Sequence, residues 1–151
     1  LPLDMHPVLG NNKVLADQLE LRALDVFGEY GGQKIGLKGQ LDPISAEGLG
    51  IKLENRLGSP VKVIGSGEIR TLGIVSGGAA DLLGQAAEAG LDAYLTGEGA
   101  NHHYHESIES ECILLLAGHY ATETGGVKSV GKYLEEQFGM KTEYLDYPTG
   151  I

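Results

Sequence analysis

Cys112-Ile113-Leu114-Leu115-Leu116 is an unbroken apolar run, and Ala117-Gly118-His119-Tyr120-Ala121-Thr122-Glu123 follows it at once. A run this short, apolar at every position and closed by glycine, reads as a central strand buried on both faces. That second stretch leads into a segment patterned like a helix. A buried strand that hands over directly to a helix commits the chain to an α/β layered sandwich with a mostly parallel, mixed sheet.

The rest of the chain keeps that rhythm. Asn11 or Asn12 can cap a helix carrying Val14, Leu15, Leu19 and Leu21. A loop-rich stretch holds Phe27, Tyr30 and Gly31-Gly32, and Lys34 to Gly39 is strand-like. Asp42-Pro43 is expected to open a helix that stops at Gly58. Gly48 and Gly50 inside it each cost roughly 1 kcal/mol against Ala, so tertiary packing must hold it. Val61–Ile64 and Arg70–Val75 read as strands, Ser76–Ala80 as a turn into a helix, and Ala93–Leu95 as the next strand. A helix with His105 and Ile108 leads to the apolar run; a helix from about Thr122 to Phe138 and a last strand, Thr142 to Leu145, complete the alternation.

Composition narrows the function classes. A net charge of −10 argues against a nucleic-acid backbone or an anionic membrane as partner. No apolar run reaches membrane-spanning length. A single cysteine, Cys112, allows no internal disulfide and fits a cytoplasmic protein; at the start of a buried strand it reads as a packed thiol. The length suits one domain with a real core. The chain nevertheless opens Leu1-Pro2-Leu3-Asp4-Met5-His6-Pro7, without an initiator Met or any structured preamble, as though beginning mid-domain.

Four groups of residues compete for the chemistry. His119 and Glu123 are four apart, so on a helix both can reach one point. An imidazole with a carboxylate suits zinc, iron or manganese, and equally describes a solvated helix-face ion pair. Their position favours a site, because ligands in open parallel sheets collect at the carboxyl ends of strands. Ser76-Gly77-Gly78-Ala79 is a strand-to-helix turn that could present amides to a phosphate, although it lacks the full P-loop or dinucleotide fingerprint. His102-His103-Tyr104-His105-Glu106 is rich in imidazoles, but helical neighbours diverge by about 100°. One member, His105, is expected to face the pocket. Glu98, just beyond the strand ending at Leu95, belongs with it as a pocket candidate. No Gly-x-Ser-x-Gly turn supports a serine nucleophile.

The Leu1-Pro2-Leu3-Asp4 segment, Gly10-Asn11-Asn12 with its helix, Thr96-Gly97-Glu98 followed by His105, and Gly118-His119-Tyr120-Ala121-Thr122-Glu123 with Gly125-Gly126 occur in an order that resembles the NIF-three-like dinuclear-metal-centre family, also named GTP cyclohydrolase 1 type 2 homologues. The resemblance covers nearly the whole chain. It implies a NIF-three-like fold, a toroidal homohexamer, and two divalent metal ions, with Asp4, His119 and Glu123 as ligands. It also implies that residues 1–151 are the C-terminal portion of such a protein. Family members carry a His-His ligand pair and a further His ahead of the Leu-Pro-Leu-Asp segment. His102-His103 does not occupy that place, so the ligand set in this chain is expected to be partial.

A site of this type lowers the pKa of a bound water and polarises a substrate, which is hydrolytic chemistry. Glu98 or His105 could orient water or move protons. Three functions follow as expectations: a metal-dependent hydrolase with a small nucleotide substrate, a non-catalytic metal-binding hexameric assembly, or a nucleotide-binding module using the Ser76–Ala80 turn.

Overall fold

A computed structural model describes residues 2–149; Leu1 of the Leu-Pro-Leu-Asp segment lies outside them. The elements are α1 (Pro2–Met5), α2 (Asn11–Gln18), β1 (Arg22–Tyr30), β2 (Gln33–Ser45), α3 (Ala46–Leu57), β3 (Lys62–Ile64), β4 (Glu68–Ile74), a 3-10 turn (Ala80–Leu82), α4 (Leu83–Glu88), β5 (Ala93–Thr96), α5 (Asn101–Ser110), β6 (Ile113–Leu116) and α6 (His119–Phe138). Among the described residues, no helix is long and apolar enough to cross a membrane.

The six strands form one sheet in the order β1-β2-β4-β5-β6-β3. The apolar run is β6, and its neighbours β5 and β3 cover both of its edges. The sheet is mixed, as expected, but its parallel part is confined to β4, β5 and β6. The pairings β1–β2, β2–β4 and β3–β6 are antiparallel. One reason lies in the stretch taken as loop-rich. Gly31 and Gly32 have φ of 58° and 79°, the left-handed pair that a two-residue hairpin turn demands. A connection that short joins only antiparallel strands.

Alternation along the central strands feeds two cores. Ile113 and Leu115 of β6 and Ala93 and Leu95 of β5 pack with Leu15 and Leu19 of α2 and Leu49 and Leu53 of α3. Leu114 and Tyr94 point to the other face, against Leu82, Leu83 and Ala86. Each fully buried Leu contributes about 1.5–3 kcal/mol, so a one-residue register slip would exchange both cores at once. Tyr94 is wholly buried, and its hydroxyl donates to the Ala79 carbonyl at 2.7 Å.

Three local expectations change. Asp42-Pro43 does not open a helix: β2 runs through it, with the register against β4 shifting between Gln40 and Ile44. Proline is tolerated at such an irregularity because no ladder N–H is required there. Ser45 caps α3 instead, its Oγ accepting from Gly48 N at 3.1 Å, and Gly58 closes the helix in the left-handed conformation as expected. Thr142 to Leu145 is not a strand. The Thr142 amide and hydroxyl both donate to the Glu135 carboxylate of α6, at 3.1 and 2.8 Å, which turns this segment along the helix.

The third change concerns the asparagines. Gly10 occupies the cap position of α2, and Asn11 and Asn12 are its first helical residues. Their side chains reach outwards to other elements. Asn12 is 1% exposed; its Oδ1 accepts from Ser76 N and its Nδ2 donates to Ile35 O, both at 2.8 Å. One amide therefore joins α2, β2 and the end of β4. Asn12→Ala would leave both backbone groups buried and unpaired, and a loss of about 2–3 kcal/mol is expected, read as a lowered denaturant midpoint at unchanged slope.

Asp92 does a similar job at the other end of the sheet. Its Oδ2 accepts from the amides of Arg70 and Thr71 and from the Thr71 hydroxyl, at 2.8–2.9 Å. Burial opposes its ionisation, but these bonds prevail and hold the carboxyl below its ordinary range. The stabilisation is complete above the ordinary carboxyl pKa, about 3.9, and is lost as pH falls through the lower folded value. Asp92→Ala should cost about 2 kcal/mol at neutral pH. In urea melts the gap to the parent protein should shrink as the solution becomes strongly acidic.

Candidate metal centre

The parallel strands keep bonding to one another after they end. Gly97 N donates to Gly77 O at 2.7 Å, Ala117 N to Thr96 O at 3.0 Å, and Gly118 N to Gly97 O at 2.8 Å. Thr96 and Thr122 tighten the same junction: Thr96 Oγ1 donates to Gly77 O at 2.9 Å, and Thr122 Oγ1 accepts from Gly77 N at 3.0 Å. The loops following β4, β5 and β6 are thus laced into one rigid rim. Two glycines are required for it. A Cβ at Gly97 would lie 2.7 Å from both Gly77 O and His119 Cα. Gly77 has φ +73°, and a side chain there would run into the Glu123 carboxylate.

On this rim α6 begins at His119, three residues earlier than its sequence pattern indicated. His119 and Glu123 therefore share the first turns, with Nε2 3.3 Å from Glu123 Oε1. The other ring nitrogen, Nδ1, lies 2.9 Å from Glu98 Oε1, so the imidazole is held between two carboxylates. The hydrogen bond to Glu98 raises the His119 pKa above its ordinary value; burial opposes that, and the Glu123 charge adds to it. This is an environment that favours positive charge.

Asp4 reaches the same place from α1. Its Oδ1 accepts from Asn11 Nδ2 and Ser76 Oγ, each at 2.8 Å. Burial opposes its ionisation, and these bonds are among the contacts that outweigh it and keep the carboxyl below its usual range. Asp4, His119 and Glu123 line one cavity of about 350 Å³ with Ser76, Gly78 and Asp81. His119 and Glu123 also form the wall of a second cavity, of about 670 Å³, on the side of Glu98 and Tyr120. Glu98 lines that second cavity.

His105 is exposed and lines neither cavity bounded by His119. The buried face of α5 carries His103 and Ser107, an i, i+4 pair. Nor does helical divergence keep the neighbouring histidines apart. Donor atoms of Asp81, His102 and His103 all lie within 4.8 Å of one another, a group able to hold a metal ion. His103 is already engaged, however. Its Nδ1 accepts from Ala100 N at 2.9 Å, which leaves the ring proton on Nε2, facing Asp81 Oδ1 at 3.0 Å. A metal at Nε2 must displace that proton and break the Asp81 bond.

The Ser76–Ala80 turn is likewise committed. The amides of Ser76, Gly77 and Ala79 donate to Asn12, Thr122 and Thr96. These N–H groups, which phosphate binding would need, hold the rim together. The sequence signal missed was in the asparagines: paired amides in a helix's first turn read as caps, although their partners lie 64 and 115 residues away.

The family model described as Duf34/NIF3 (NGG1p interacting factor 3) matches residues 1–148. Among curated proteins, the GTP cyclohydrolase 1 type 2 homologues of Halobacterium salinarum and Pyrococcus horikoshii are 43% and 39% identical over the whole chain. The chain spans 62% of the length of each. A solved protein from Thermus thermophilus is 34% identical with a TM-score of 0.83, over 100% of this chain and 60% of that one. A second, described as protein ybgI of unknown function, is 32% identical with a TM-score of 0.86, over 98% and 60%. Matching along its whole described length, with the fold of these relatives, the chain belongs to the DUF34/NIF3 family.

Proposed function

We propose that this protein binds divalent metal ions through Asp4, His119 and Glu123 and uses them for hydrolysis of a small nucleotide-type substrate. The observation that carries the reading is the His119–Glu123 pair, which shares one cavity with Asp4 and whose imidazole has a second carboxylate on its other nitrogen. A histidine whose Nδ1 proton is held by a carboxylate presents Nε2 as a fixed, more basic metal ligand. Two carboxylates and one imidazole suit zinc, iron or manganese. The three residues line one cavity; a dinuclear centre draws on further donors, as the family resemblance implies.

When bound, such ions lower the pKa of coordinated water and polarise a carbonyl or phosphoryl oxygen. The remaining work belongs to the chain. Glu98 fixes the His119 tautomer, Asn11 and Ser76 orient Asp4, and the laced rim keeps all of them in register. The homohexamer belongs to the same proposal.

Metal content and competitive metal titration test the assignment. Glu123→Ala should strip the protein of metal. Glu98→Gln should retain the fold and weaken metal affinity about 10- to 100-fold. Retention of metal in Glu123→Ala together with its loss in His102→Ala would move the site to the Asp81–His102–His103 cluster. A nucleotide panel then separates the hydrolase from an assembly protein, because stoichiometric metal without turnover would leave binding alone.

A further inference from the structure

The second cavity, beside His119 and Glu123, is also lined by Glu98 and by Tyr120, Tyr144 and Tyr147. Tyr144 and Tyr147 come from residues 140–149, a segment after α6 with neither helix nor strand. It is fixed by polar contacts. The hydroxyls of Tyr120 and Tyr144 converge on Asp146 Oδ1 at 2.9 and 3.2 Å, and Tyr147 N donates to the Tyr120 oxygen at 2.8 Å. Lys128 Nζ lies 4.3 Å from the centre of the Tyr144 ring. The segment is thus anchored by phenol hydroxyls and a backbone amide, while ring surface stays in solvent. Tyr147 is 85% exposed.

Chemistry limits what can fill such a space. The glutamates that line the cavity with the rings accept hydrogen bonds and donate none when ionised. With Asp146 nearby they repel an anionic group, and the nearby Lys128 ammonium is drawn to the Tyr144 ring. Open tyrosine faces attract a flat π system. A volume of about 670 Å³ accommodates a drug-sized ligand.

We propose that this cavity is a binding subsite for a flat, uncharged heteroaromatic ring of nucleobase size, stacked on Tyr147 with its N–H edge toward Glu98 and Glu123. The proposal rests on the metal-site reading, since it places the ring beside the same His119–Glu123 wall and leaves any anionic group to the metal side.

Guanosine, which is uncharged and bears ring and exocyclic N–H donors, is the probe, with ribose as the ringless control. The chain has seven tyrosines and no tryptophan, so tyrosine emission corrected for absorption by guanosine follows stacking, and calorimetry gives affinity. In the metal-loaded full chain, guanosine should bind saturably and ribose should not. Tyr147→Ala should weaken guanosine binding about tenfold, while Tyr147→Phe, which keeps the ring, should bind like the parent. Equal affinity in Tyr147→Ala, equal binding of ribose, or no saturable guanosine binding would overturn the subsite. Repeating the titration after chelation separates the two readings. Tyr147-dependent binding in a protein that never held metal would support the subsite and sink the metal site; stoichiometric metal without guanosine binding would do the reverse.

Discussion

The structure depends on the parallel pairing of β4, β5 and β6 and on its continuation into the loops beyond them. Parallel strands place all their carboxyl ends on one side. Here the bonds Gly97–Gly77 and Gly118–Gly97 carry the ladder past the last paired residue. Loops that would otherwise fray become a rim with backbone precision. Ser76 sits on the first loop, Glu98 on the second, and His119 and Glu123 at the start of the helix that follows the third, while Asp4 is tied to the rim through Ser76 and Asn11.

This arrangement accounts for the glycines at 77 and 97 and the threonines at 96 and 122. The glycines let backbone approach backbone and side chain approach backbone at distances a Cβ forbids. The Thr122 hydroxyl satisfies the buried Gly77 amide, and the Thr96 hydroxyl adds a further donor to the Gly77 carbonyl that Gly97 N already bonds. Function and packing meet in the same residues, so the rim cannot loosen without moving the imidazole.

The two carboxylates around His119 show how a site can be prepared for a cation. Glu98 and Glu123 address different ring nitrogens, Glu98 at Nδ1 and Glu123 at Nε2. The Asp81–His102–His103 group has comparable donors but a different internal logic. There the histidine accepts a backbone amide and donates to the carboxylate, which completes a helix start. Proximity of donors is common to both groups, and the direction of the hydrogen bonds separates them.

Features that depend on local pattern were legible from the residues alone. The apolar run marked β6, the i, i+4 spacing put His119 and Glu123 on one helix face, and Gly58 and Gly139 marked helix ends. Whatever rests on partners distant in the chain came from the fold. The direction of β2 and β3 pairing, the passage of a strand through Pro43, the inward turn of His103 in place of His105, and the bridging by Asn11 and Asn12 all belong there. Periodicity reports which face of an element is apolar, because burial repeats along the chain. It does not report which polar atom, many residues away, will satisfy a given amide, and that pairing is what places the functional groups.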